Sequence, residues 1–256
     1  MKKSLFFMPI LTLLFVLTGC ATAPQLIKNE PYNHKISRVF NSDFEHTWAT
    51  IIKVMEAYPI TTIEKDSGIL LTDWVQGTSP LYLRKLFVPL AQRVTKKAVG
   101  IYFAQLSPNV VYIVHALENG PAYESGIRSQ DIIVSCNGKQ VRKTTDFQLA
   151  VSGKTKFTVL RPGTNTLIQF EVQPRKITFD YAYVPIKTRY KLNVRVTKVS
   201  QDTTEVKIIN YEEADFGRQT QYGWQSNYQV IETSTLREKI LLDEIKSQLS
   251  GRSSNE

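Results

Sequence analysis

The stretch that most constrains the fold runs from Glu118 to Val141, where successive short words of sequence each dictate a backbone geometry. Pro121-Ala122 opens a short helix, because the amide that proline lacks would have no partner in the first helical turn. Gly126 closes it, since the residue just past a helix commonly takes a positive φ that side chains resist. Asp131-Ile132-Ile133-Val134 then enters a buried strand, and Asn137-Gly138 is the strongest two-residue hairpin signal. β-prone runs continue over residues 155–160 and, past a turn at Arg161-Pro162-Gly163, over 167–172.

Together these residues make segment 97–176 resemble a bacterial PDZ domain, of the kind attached to periplasmic trypsin-like proteases and C-terminal processing proteases. The resemblance implies a small β-barrel-like sheet with two helices. It also implies a mode of action, in which an extended peptide adds as a strand to an open sheet edge and a neighbouring pocket selects its side chains. On this reading the amides of Val99-Gly100-Ile101 form the nest for a terminal carboxylate. Tyr102, Phe103 and Ala104 then lie on the receiving strand, and a helix over residues 145–151 lines the groove with Phe147, Gln148 and Val151. A side chain at position 100 is expected to push into the nest. Gln130 departs from the pattern, standing where the family usually has glycine. The alternation of Val99, Ile101 and Phe103 also reads as plain core, in which case the module is a spacer with a blocked groove.

The amino terminus has the three parts of a secretory signal: Lys2 and Lys3, an apolar run from Leu5 to Val16, and Leu17-Thr18-Gly19-Cys20. The run falls short of the ~20 apolar residues that span a bilayer. Its end resembles the bacterial lipobox, which implies cleavage after residue 19 and acylation of Cys20, with palmitate among the chains. Ala21, where an acidic residue would resemble an inner-membrane retention signal, favours the outer membrane with the protein facing the periplasm. Losing Lys2 and Lys3 with the leader lowers the net charge of +9 to +7, a mildly basic surface that does not by itself indicate nucleic acid. Acylation of Cys20 leaves Cys136 as the sole thiol, so no disulfide framework is possible, and its apolar setting suggests packing.

The flanks read as two halves of one domain. Ser42-Asp43-Phe44-Glu45 is a capping box ahead of a helix whose apolar stripe is Phe44, Trp48, Ile51, Ile52 and Met55, stopped by Pro59. Residues 60–65 and 69–75 form a hairpin. Residues 190–197 alternate as a half-buried strand with a partner at 204–210, followed by a polar loop to Trp224, and a helix over 235–249 carries Leu241, Leu242, Ile245 and Leu249 on one face. Neither half buries enough to offset its ordering entropy. Joined, they give an antiparallel α+β sheet with helices on one face, similar to the helix-grip domains of the C subunit of the outer-membrane β-barrel assembly machine. The expected organisation is therefore leader 1–19, tether 20–35, helix-grip half 36–96, inserted PDZ module 97–176, second half 177–250 and tail 251–256. The connector 81–97, mixing leucines with basic residues, is expected to pack between domains or to touch lipid headgroups.

No catalytic motif is recognisable. His34 falls in the tether, His46 on the polar side of the first helix and His115 in a strand, with no nucleophile elbow or metal-binding pair. Glu212, Glu213 and Asp215 read as solvated loop acids. The expectation is a non-enzymatic envelope lipoprotein without cofactor or metal that captures a peptide or protein C-terminus. The alternatives are a structural scaffold of an outer-membrane complex with a non-binding PDZ spacer, or a sheet that holds a small hydrophobe near Tyr190, Trp74 and Trp224.

Overall fold

A computed structural model describes residues 25–28, 35–85, 88–150, 153–162, 166–182 and 186–251. Two sheets organise them. The first runs Tyr228–Ile231, Thr204–Asp215, Lys187–Lys198, Ile69–Thr72 and Ile60–Glu64, all antiparallel. Ser37–Phe40 adds to Thr204–Asp215, and Val75–Thr78 adds to the start of Lys187–Lys198. This sheet thus joins residues 37–78 with residues 187–231, pairing Leu71 with Asn193 and Gln76 with Arg189.

Alternation along the long central strands explains which face is covered. Tyr190, Leu192, Val194, Val196, Val206 and Ile208 are buried, and the residues between them are more exposed. Helices Phe44–Met55 and Leu236–Leu249 cover the buried face, sealing a core that includes Trp48, Ile51, Met55, Leu241, Leu242 and Ile245. The cap of the first helix is Asp43, one residue later than the sequence pattern suggested. Its carboxylate accepts from the His46 amide at 2.9 Å, while Glu45 pairs with Lys65 instead of closing a box. Gly68 holds its turn at φ +64, its Cα so near the Val196 carbonyl that no side chain fits.

The second sheet runs Thr166–Val172, Thr155–Arg161, Ile132–Cys136, Val110–Ala116 and Ile101–Ser107, with Lys139–Gln140 on the side of Ile132–Cys136. The expected short helix is Pro121–Glu124, and Gly126 follows at φ +100. Asn137 and Gly138 both take positive φ, as their hairpin requires. Gln130 does so too, at φ 77, with its amide donating to the Ile113 carbonyl at 2.6 Å. A separate two-stranded ribbon, Val88–Ala98 with Arg175–Ala182, leads into and out of this sheet. Gln25–Lys28, in the stretch expected as tether, pairs with Tyr82–Lys85, and Lys28 meets Glu232 at 2.7 Å. The lipidation site Cys20 lies outside the described residues.

The two sheets meet at a buried polar joint. Arg237, 2% exposed, stacks 3.9 Å from the Tyr190 ring and donates to the Thr78 carbonyl at 2.8 Å and to Glu212 at 3.2 Å. One residue past Thr78, the Ser79 carbonyl accepts from the Tyr112 hydroxyl of the second sheet at 3.1 Å. Leu236 and Ile240 pack with Ala104, Leu106, Tyr112 and Val114. Glu212, Glu213 and Asp215, read from sequence as solvated, lie instead in the continuing Thr204–Asp215 strand. Glu212 is buried against Arg237, Glu213 pairs with Arg189 at 2.7 Å, and Asp215 accepts from Gly217, Trp224, Ser226 and Asn227. Burial alone would raise the Asp215 pKa, but these donors hold it at about 2.

Two stability measurements follow. A side chain held at positive φ costs ~1 kcal/mol, partly offset in the unfolded chain when glycine replaces it, so Gln130→Gly is expected to hold or raise stability by up to about 1 kcal/mol in urea denaturation. Glu238, 2% exposed, has its pKa pushed up to about 7 by burial, although Arg237 beside it favours the charge. Its folded pKa exceeds the unfolded one, so it adds stability below about 4.5 that is lost as pH rises through about 7, roughly 3 kcal/mol in all. Glu238→Gln should remove that decline from the stability-versus-pH curve.

Candidate functional site

Ile101–Ser107 is the end strand of its sheet. It pairs with Val110–Ala116 on one side, and no described strand pairs with the other. An unpaired strand edge is a row of backbone donors and acceptors placed to receive another extended chain. The Val75–Thr78 strand passes close to Leu106, so the accessible part of the edge is residues 101–105.

The loop that leads into this strand is shaped by its carbonyls. Val99 accepts from the Ala122 amide and Gly100 from the Leu117 amide, both at 2.9 Å. The amides of Val99 and Gly100 donate to no described group, which leaves two of the three N–H groups of the expected nest available. Gly100 sits at φ +79, a conformation that only glycine takes without strain. A Cβ there would lie 3.1 Å from the Gly120 Cα and 3.2 Å from Ile177 Cδ1, so a side chain at this position meets the packing of the loop. Glycine is required here for loop packing.

Alternation sorts the strand's side chains between two faces. Ile101 and Phe103 pack toward the core of the second sheet, with Phe147 and Leu149; the Phe103 and Phe147 rings are 4.5 Å apart and Phe147 stacks on Phe157 at 5.7 Å. Tyr102 and Ala104 belong to the opposite face. Tyr102 stacks on His115 at 6.3 Å and takes Phe179 edge-on at 6.0 Å, and burial raises its phenol pKa.

The groove beside the edge has a volume of about 680 Å³ and an apolar lining. Val99, Gly100, Ile101, Tyr102, Phe103 and Phe147 of the expected set line it. Ala104 and Gln148 do not, and Val151 lies outside the described residues. Leu149, within the expected groove segment, lines it too, and so do the ribbon residues Val94, Lys96 and Phe179, which were not expected there because the signal for a ribbon wall is only a run of alternating residues across a long chain separation. The expected groove helix over 145–151 is also corrected. A single 3₁₀ turn, Thr144–Asp146, is followed by extended backbone at Phe147. Tertiary partners take the groups a helix would have used: the Gln148 carbonyl accepts from Cys136 and Asn137, and the Ala150 amide donates to Thr155.

The remaining candidates are dispersed. Cys136 is buried and its thiol pKa is raised by burial, as a packing residue's would be. His46 is exposed, and His34 lies outside the described residues. Tyr190 is buried under the helices, Trp74 lies on the other side of the sheet beneath Arg189 and Lys191, and Trp224 donates to Asp215, so these three rings share no cavity.

The family model for the PDZ domain matches residues 97–172. The chain is 38% identical over 79 residues to the serine protease Do-like HtrB of Bacillus subtilis (strain 168), covering 28% of this chain and 17% of that protein. It is 39% identical over 70 residues to the serine protease HTRA1 of Xenopus tropicalis, covering 27% and 15%. The chain spans about a sixth of the length of these curated relatives. A crystal structure of the HtrA3 PDZ domain bound to a phage-derived ligand (FGRWV) aligns with 34% of this chain and 92% of its own, at 21% identity and a TM-score of 0.29. With its end strand, carboxylate-loop geometry and this family match, the segment from residue 97 to residue 172 is a PDZ domain, similar to those of the HtrA serine proteases.

Proposed function

We propose that this protein is a non-enzymatic, membrane-anchored adaptor that holds an extended or carboxyl-terminal segment of another envelope protein in its PDZ groove, during assembly or quality control. The carrying observation is the end position of Ile101–Ser107, with amides at Val99 and Gly100 that donate to no described group and an apolar pocket beside them. Backbone pairing supplies affinity without reading sequence, the amides take the carboxylate, and the Phe103–Phe147 pocket takes an apolar terminal side chain. The anchor in this reading is lipid on Cys20, and bacterial lipoproteins carry enough acyl chains for firm membrane attachment. The PDZ domain is read as an insertion between the Val75–Thr78 and Lys187–Lys198 strands of a helix-grip sheet. The outer membrane, with the groove facing the periplasm, is the proposed location.

Labelled octapeptides ending in valine, titrated by fluorescence anisotropy, test the capture. A free carboxyl terminus is expected to bind at least about tenfold more tightly than the same peptide amidated, because the amide cannot replace a charge-assisted acceptor. Equal affinity for the two, or none for either, would overturn peptide capture.

The buried joint at Arg237 favours a second reading, in which the PDZ domain is a spacer held rigidly on a docking domain. Deleting residues 97–172 separates the two. A scaffold would still co-purify with its membrane complex, whereas an adaptor would lose its clients.

A further inference from the structure

The groove is not built by the PDZ domain alone. Val94, Lys96 and Phe179 lie outside residues 97–172, on the ribbon formed by Val88–Ala98 and Arg175–Ala182. In the ribbon, Lys96 is opposite Ile177 and Val94 is opposite Phe179; cross-strand partners and residues two apart share a face, so these four side chains stand together. Ile177 meets the Gly100 loop, Phe179 stands edge-on to Tyr102, and the Lys96 ammonium lies 5.2 Å from the Phe179 ring centre.

A ligand strand on the Ile101–Ser107 edge would present alternate side chains to opposite faces. With its terminal residue in the Phe103–Phe147 pocket, its penultimate residue faces the Tyr102 side, where the ribbon stands. The described lining of the groove contains two charged residues, Lys96 and Lys97, and no acid. Among the described residues no acidic side chain pairs with Lys96.

We propose, resting on the peptide-capture reading above, that the ribbon is a second specificity wall, and that Lys96 selects ligands with an acidic residue immediately before an apolar carboxyl terminus. The ligand class is then a protein tail ending in acid and apolar residue. The apolar residue enters the Phe103–Phe147 pocket, and the acid lies against the Lys96 ammonium, which stands over the Phe179 ring. Because Lys96 is exposed, the contribution is that of a screened ion pair, which tunes choice among ligands more than total affinity.

The test uses the full-length chain in detergent and octapeptides ending in valine with Asp, Ala or Lys before it, read by anisotropy. The wild type is expected to rank Asp over Ala over Lys, with about tenfold between the extremes at low salt and less at high salt. Lys96→Gln should level the series and Lys96→Glu should invert it, with unchanged melting temperature. If Lys96→Glu weakens every peptide equally, Lys96 acts on the terminal carboxylate or the general field, and the proposal is overturned. If the peptides bind but their ranking ignores position 96, the ribbon proposal fails while capture stands. Failure of every peptide to bind the wild type overturns capture and this proposal together.

Discussion

The arrangement of the molecule depends on one guanidinium. Arg237 comes from the first turn of the C-terminal helix, sits over the ring of Tyr190 from one central strand, and bonds Glu212 from the next and the carbonyl of Thr78 at the end of a third. Burying a charge is unfavourable unless it is paired and hydrogen-bonded, and the pairing here requires all of these elements in place at once. Nε and Nη1 of Arg237 find no hydrogen-bond partner among the described residues, which makes the group a weak source of net stability. Next along the chain, Ser79 accepts from Tyr112, so the constraint reaches directly into the PDZ sheet.

Fixing the PDZ sheet against the helix pair determines which part of its edge is accessible. Leu236 and Ile240 cover the face that carries Ala104 and Leu106, and the Val75–Thr78 strand passes close to Leu106. The accessible part lies next to the Val99–Ile101 loop, where the ribbon returns and adds Val94, Lys96 and Phe179 to the groove. Domain packing therefore does two things at the site: it shortens the open edge and it supplies a wall beside it.

Local signals were legible wherever one residue type has one cheap conformation. Pro121, Gly126 and Asn137-Gly138 place a helix start, a helix stop and a hairpin where the structure has them, and the apolar stripes of both long helices identify the faces that enter the core. The groove helix at 145–151 was misread because the resemblance to the PDZ pattern cannot reveal that the Asp146 carboxylate accepts from Arg142 and Lys143, or that Thr155 and Asn137 engage the following backbone. Glu212 and Asp215 were misread for the same reason. Their partners Arg237, Trp224 and Asn227 reach them only through tertiary packing.

By itself the sequence determined the class of module at the centre and the amphipathic elements of the flanks, because each rests on φ preference or on hydrophobic period within a few residues. Tertiary structure alone decided that Gly100 is needed for contact with Gly120 and Ile177, that the acids of the Thr204–Asp215 strand are buried, and that a distant ribbon completes the groove. Those outcomes depend on which side chains meet across long separations in the chain, and such meetings are set by the packing of whole faces rather than by any local stretch of residues.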